Sequence, residues 1–241
     1  MYLLKRLLLC TFCYASLFSY ETTEDLIAQQ DRLIAHVQTS IANGQQMISK
    51  LNQEALAIDG MSSPKVRHFL NNLCSLPEAN YLEIGCWKGS TLVASLFGNQ
   101  SSISSAVAID NWSDFGGPKE EFDSNCQIFL SSYPCKFYEE DCFQIAPCSL
   151  CNNPINIYFY DGDHTSLAQE LAFTYYNDVF ADLFIAVIDD WNHLPVQIGT
   201  REAFRKLGYN ILFETVLPAR HNADVENWWN GLYVAVIKKT K

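Results

Sequence analysis

The chain has 241 residues, 49% of them hydrophobic and 18% charged, with 16 basic and 27 acidic side chains. This suits one folded domain with an ordinary core and an N-terminal extension, and 13% aromatic content excludes general disorder. A formal charge of −11 argues against nucleic acid as the main partner, because phosphate binding calls for a basic face.

Residues 1–20 start with a cationic pair, Lys5 and Arg6, run uncharged over 7–20 and carry small residues at Ala15, Ser16 and Ser19. The pattern resembles a signal peptide or membrane anchor, though it falls short of the roughly 20 apolar residues of a spanning helix. The competing reading is an apolar helix packed on the body. Residues 21–61 are expected to form a helical extension. Within it Ile27, Ile34, Ile41 and Ile48 recur every seven residues, with Val37, Leu51 and Ile58 on the d positions. Asn43-Gly44 interrupts this helix over 22–58. The stripe covers either the body or a second copy of the chain. Gln30 and Gly44 at d positions argue against a long coiled coil. Ser63 then fits an N-cap and Pro64 a first helical position, opening a short helix to about residue 76.

Beyond Pro77 apolar runs alternate with amphipathic ones, and 62–241 reads as one α/β domain. Strands are expected over 81–86, 106–109, 136–139, 155–160, 183–188, 210–216 and 231–238. Helices are expected over 90–97, 120–131, 166–179 and 196–207, the last stopped by Gly208. The alternation predicts a seven-stranded, mostly parallel sheet with helices on both faces. The last two strands lack an intervening helix and should pair antiparallel.

The nine cysteines offer little chemistry. Cys10 and Cys13 fall in the leader; Cys74, Cys86, Cys126, Cys135, Cys142, Cys148 and Cys151 follow it. This odd set is a poor disulfide framework, and Cys148-Ser-Leu-Cys151 lacks the second pair of a zinc site. Free thiols are the favoured reading. One or two bonds among Cys135, Cys142, Cys148 and Cys151 are the alternative for an exported chain.

The first strand ends in Glu83-Ile-Gly85-Cys-Trp-Lys-Gly89-Ser90, a strand, a glycine turn and a helix N-terminus. Gly85 permits a tight turn and Gly89 a close approach of backbone to a ligand's polar part. The second strand ends in Asp110, about 20 residues on, where a carboxylate can take a ribose diol. The third ends in Glu139-Glu140-Asp141, the fourth in Asp161-Gly-Asp163-His164 and the fifth in Asp189-Asp190-Trp-Asn-His193. Carboxylates gathered at one sheet edge repel unless protons or a cation neutralise them. Hard oxygen donors suit magnesium first, then manganese or calcium. The structural alternative is that Asp-Gly-Asp forms a turn and strand-end acids cap helices. Trp112 either stacks on a ligand base or fills core, and Trp228-Trp229 either line a sugar or aromatic site or form a hydrophobic lid.

These residues together resemble the class I S-adenosylmethionine-dependent methyltransferases, over roughly 62–238. Glu83, Gly85 and Gly89 match the family's first motif, with Ser90 opening the helix behind it; Asp110 matches the ribose-binding acid and Asp141 the acid near the adenine. Trp87 stands where many members carry a third glycine. A nicotinamide-binding domain would favour G-x-G-x-x-G, which is absent. The resemblance implies a Rossmann-like seven-stranded sheet with an antiparallel C-terminal hairpin. The D-G-D-H and D-D segments look like the metal-dependent O-methyltransferases of catechols and sugar hydroxyls. That likeness implies a divalent ion, magnesium above all, held by Asp161, Asp189 and Asp190, and Asp163 or His164 as general base. The expected function is methyl transfer to a hydroxyl of a small molecule, with no nucleic acid, with membrane association through 1–20 and self-association through 22–58 as further expectations. The alternative is a catalytically idle, ligand-binding domain of this type tethered by its leader. The leader bears on the choice: Lys5 and Arg6 would put the body outside the cytosol, where the donor is made.

Overall fold

The computed structural model describes residues 23–150 and 152–240. The segment 1–20 expected to be a leader, with Cys10 and Cys13, and Cys151 lie outside the described residues. No helix among the described residues is long and apolar enough to cross a membrane.

Helix α1 (Thr23–Gln45) ends just past Asn43-Gly44, and α2 (Gln53–Leu56) is a single turn capped by Asn52. The buried line of α1 is Leu33, Val37, Ser40 and Gly44, while Ile27 and Ile48 are 52% and 53% exposed. The isoleucine repeat is therefore not the seam; Ile34 and Ile41 only flank it. The reason lies in α3 (Pro64–Leu73), against which α1 packs so closely that a Cβ at Gly44 would stand 2.7 Å from the Phe69 Cβ. Small residues, not isoleucines, permit that approach. The line through Leu33, Val37, Ser40 and Gly44 thus covers the body of the same chain. Ser63 caps α3 through its side chain, and Pro64 opens it, as expected.

The sheet runs β3-β2-β1-β4-β5-β7-β6. Its strands are β1 (Ala79–Ile84), β2 (Ile103–Asp110), β3 (Cys135–Glu139), β4 (Ile155–Tyr160), β5 (Phe180–Ile188), β6 (Asn210–Leu217) and β7 (Leu232–Lys238). The first five are parallel, and β7 lies antiparallel between β5 and β6. Helices α4 (Ser90–Leu96) and α5 (Lys119–Phe129) join α1 and α3 on one face; α6 (Ser166–Thr174) and α7 (Leu194–Leu207) cover the other. Gly208, with φ 63°, ends α7. Several boundaries differ from expectation, among them the start of β2 at Ile103 rather than residue 106 and the end of α3 at Leu73 rather than about 76. Strand β1 stops at Ile84 rather than residue 86, because Gly85 turns the chain into the left-handed region. Helix α6 stops at Thr174, and a 3₁₀ turn, Asn177–Val179, feeds β5 three residues earlier than expected.

Register decides what meets at the sheet edge. Ile84 pairs with Ile109 on one side and Tyr160 on the other, and Tyr160 pairs with Ile188. Gly85, Asp110, Asp161 and Asp189 therefore leave their strands at one level. Between β1 and β4 the strand order reverses, which opens a crevice at the carboxyl ends. Cys74, Cys86, Cys126, Cys135, Cys142 and Cys148 are free thiols, the first three buried.

Candidate active site

A cavity of about 800 Å³ occupies that crevice. Of the residues singled out in the sequence, Gly85, Asp110, Asp141, Asp161, Asp163, His164, Asp189 and Asp190 line it. Glu83, Gly89 and Ser90 do not.

The glycine turn explains the three exceptions. Gly85 has φ 88°, and a Cβ there would collide with the Asp161 carbonyl oxygen, so the turn can pass the end of β4 only as glycine. Gly89, with φ 81°, faces the Phe122 ring at 3.1 Å from where its Cβ would be, rather than the cavity. Its glycine serves helix packing. Glu83 is fully buried beneath the turn, where Oε1 accepts from the Thr91 hydroxyl at 2.7 Å and Oε2 from the Tyr81 hydroxyl at 2.6 Å. Burial pushes its carboxyl up to about 8, against the pull of those two hydrogen bonds. Glu83 ties β1 to α4 and does not line the cavity. Ser90, also buried, sits where a Cβ on Gly60 would strike it.

Asp110 is the keystone of the turn. Its Oδ2 accepts from the Cys86 and Trp87 amides at 2.7 and 2.8 Å, and its Oδ1 from the Trp112 amide at 2.7 Å. Trp87 adopts φ 43°, the region that glycine favours. Trp112 fills core: its ring tilts against Phe122 at 4.9 Å, and its Nε1 donates to the Trp87 carbonyl. The paired tryptophans divide their work. Trp228 packs edge-on against Phe69, whereas Trp229 and Asn230 line the cavity. At the end of β3, Asp141 caps a 3₁₀ turn by accepting from the Phe143 amide.

Across the crevice the acids crowd. The His164 Nε2 lies 2.7 Å from Asp190 Oδ2 and 4.0 Å from Asp161 Oδ1. The Asn230 amide donates to the other Asp190 oxygen at 2.6 Å. Asp189 is 3% exposed, and its Oδ1 has no hydrogen-bond partner among the described residues. Burial, and then the neighbouring acids, hold the carboxyls of Asp161 and Asp189 well above the usual carboxylate range. Asp190 is instead lowered: burial works against it, but the hydrogen bond and charge of His164 outweigh that cost. The carboxylates of Asp161 and Asp190 hold His164 up to about 10. Asp163 accepts from the Thr165 amide through Oδ1 alone, at 2.7 Å, and is exposed to the cavity.

Two lining residues, Met61 and Asn222, escaped the sequence reading, and neither belongs to a motif. Trp87, Phe115, Asp190 and Trp229 all line the cavity with φ between 43° and 59°. Left-handed backbone at non-glycine residues costs about 1–3 kcal/mol each and gathers at functional sites. The loop between β6 and β7, which supplies Asn222, Trp229 and Asn230, is built on buried Asp224, whose carboxylate accepts from the Arg220 amide, the Arg220 guanidinium and the Asn227 side chain.

No protein-family model matches the chain, and no curated protein matches it in sequence. Solved structures do match it in shape. TrmN from Thermus thermophilus superposes with a TM-score of 0.55 at 11% identity, covering 78% of this chain and 52% of TrmN, so the chain spans about half the length of that protein. An O-methyltransferase from Bacillus cereus, in complex with SAH, has a TM-score of 0.52 at 16% identity over 86% of this chain and 91% of its own. The SAH-bound methyltransferase PaMTH1 from Podospora anserina has a TM-score of 0.53 at 14% identity over 93% and 97%. At such identities the likeness is one of fold: this chain has the Rossmann-like fold of methyltransferases, with its antiparallel C-terminal pair and an N-terminal helix added.

Proposed function

We propose that the chain transfers a methyl group from S-adenosylmethionine to a hydroxyl of a small molecule, with a divalent cation assisting. The reading divides it into a leader over 1–20, a helical extension over 21–61 and a catalytic domain over 62–241. The observation that carries it is the unpartnered Oδ1 of buried Asp189, set beside Asp161 and Asp190 in the cavity at the strand-order reversal. A bare buried carboxylate oxygen among like charges fits a cation. The shared fold, with neighbours solved in complex with SAH, supports the donor. A cavity of about 800 Å³ suits small molecules rather than a polymer end.

When bound, the donor supplies an electrophilic methyl group, and a divalent cation lowers the pKa of a nearby acceptor hydroxyl. The protein's own groups do the rest. The turn from Gly85 to Gly89, held by Asp110, presents its backbone to the donor, with Asp110 and Asp141 near its polar parts. Asp161 and Asp190 would hold the cation, and the buried carboxyl of Asp189 would stand beside it. Asp163 is the better base of the two foreseen, since it opens to the cavity with one oxygen uncommitted, whereas the His164 Nε2 is held by Asp190. Alignment of the two reactants in one crevice supplies much of the acceleration.

A donor titration tests the reading. At about 100 times the dissociation constant, S-adenosylmethionine should stabilise the fold by about 2.7 kcal/mol. Labelled methyl groups should then pass to members of a panel of catechols and sugars, and EDTA should stop the transfer. No stabilisation by S-adenosylmethionine or its demethylated product would return the chain to the idle-domain reading.

A further inference from the structure

Resting on the metal-assisted reading above, we infer that the divalent ion is held through nitrogen as well as oxygen, with His164 Nε2 joining the carboxylates of Asp161 and Asp190, so that the site selects a transition ion such as manganese over magnesium. The three ligand atoms already lie within 4.8 Å of one another. Ligands of one ion with bonds near 2.1 Å stand roughly 3 to 4.2 Å apart. Of the observed separations of His164 Nε2, 2.7 Å from Asp190 falls just short of that range and 4.0 Å from Asp161 lies within it. The ion would displace the proton that His164 Nε2 shares with Asp190.

The expected all-carboxylate set departs from this geometry, because Asp189 is not part of the convergent group. It lies in the cavity wall, buried, with a bare Oδ1. That atom is an independent sign that a positive ion belongs here. The His164 ring is also held in place: His193 packs edge-on against it at 5.7 Å. Asn230 secures the far oxygen of Asp190, the arrangement that orients a ligating carboxylate. Imidazole nitrogen suits the later divalent ions, whereas magnesium takes oxygen and water.

Pulsed electron paramagnetic resonance on the full chain loaded with Mn²⁺ tests this, with calorimetric titration of Mn²⁺ and Mg²⁺ and of S-adenosylmethionine in parallel. Imidazole ¹⁴N modulation is expected in the wild type and in His193→Ala, and its loss in His164→Ala. That variant should bind Mn²⁺ at least tenfold more weakly yet bind the donor unchanged, which shows it folded. Mg²⁺ should bind at least 100-fold more weakly than Mn²⁺. Tight Mn²⁺ binding with no nitrogen coupling, or with coupling that survives in His164→Ala, overturns the inference and leaves metal assistance standing. Donor binding with no Mn²⁺ binding overturns both.

Discussion

On the β1–β2 side of the cavity, acids find their partners inside the protein. Asp110 accepts three backbone amides and Glu83 two hydroxyls. On the β4–β5 side, Asp161 and Asp190 share one imidazole, and Asp189 Oδ1 has no partner among the described residues. The first side is a finished scaffold whose carboxylates hold a turn. The second is electrostatically incomplete, and a ligand of positive charge would add stability to it by mass action. The comparison teaches that a strand-end carboxylate can serve structure or ligand, and that its hydrogen-bond ledger tells which.

Three measurements break or sharpen this contrast. The largest effect belongs to Gly85→Ala, where a left-handed φ and a collision with the end of β4 coincide. Unfolding in urea should show a loss of more than about 3 kcal/mol; a loss under 1 kcal/mol would mean the two sides are not locked together at this point.

Next comes pH. Glu83 is raised from 4.5 to about 8 in the fold, so between those values the folded chain keeps a proton that the unfolded chain has lost. Stability should therefore fall as pH rises through that window, by up to about 1.4 kcal/mol per unit from this group. In EDTA, urea unfolding of Glu83→Gln from pH 5 to 8 should show a shallower fall than the wild type. An unchanged slope would place the titration elsewhere, and Glu83 would no longer mark the finished side.

The smallest effects carry opposite signs. Asp110→Asn should cost about 1–3 kcal/mol, since it spoils an acceptor of three amides. Asp189→Asn should raise the melting temperature in EDTA by about 2–4 °C, about 1 kcal/mol, by removing a crowded buried carboxyl. The same change should weaken stabilisation by added divalent ions. Differential scanning calorimetry reads both variants, and equal signs would erase the distinction between the sides.

Much of this was legible in the chain. Alternating apolar and amphipathic runs placed all seven strands, the missing helix before residue 231 foretold the antiparallel pair, and Ser63-Pro64 marked the start of α3. Acids just beyond strand ends were placed at the cavity because parallel strands in register end together. Glu83 misled because it lies inside its strand, one pleat step before Ile84; it points with Tyr81 toward α4, and a motif match does not encode that parity. The heptad of α1 misled because the true seam needs small residues against Phe69. Asn222 and Trp229 were beyond reach as a pair, since a loop built on buried Asp224 brings them to the wall.

Local patterning, then, determined the elements, their order and the sheet edge to which the chemistry-bearing residues go, because burial periodicity and turn chemistry act over a few neighbouring residues. Only the tertiary structure decided which acids are satisfied and which are left bare. That outcome depends on donors arriving from distant segments: amides of the Cys86–Trp87 turn for Asp110, the Thr91 hydroxyl for Glu83, and no group at all for Asp189 Oδ1 among the described residues.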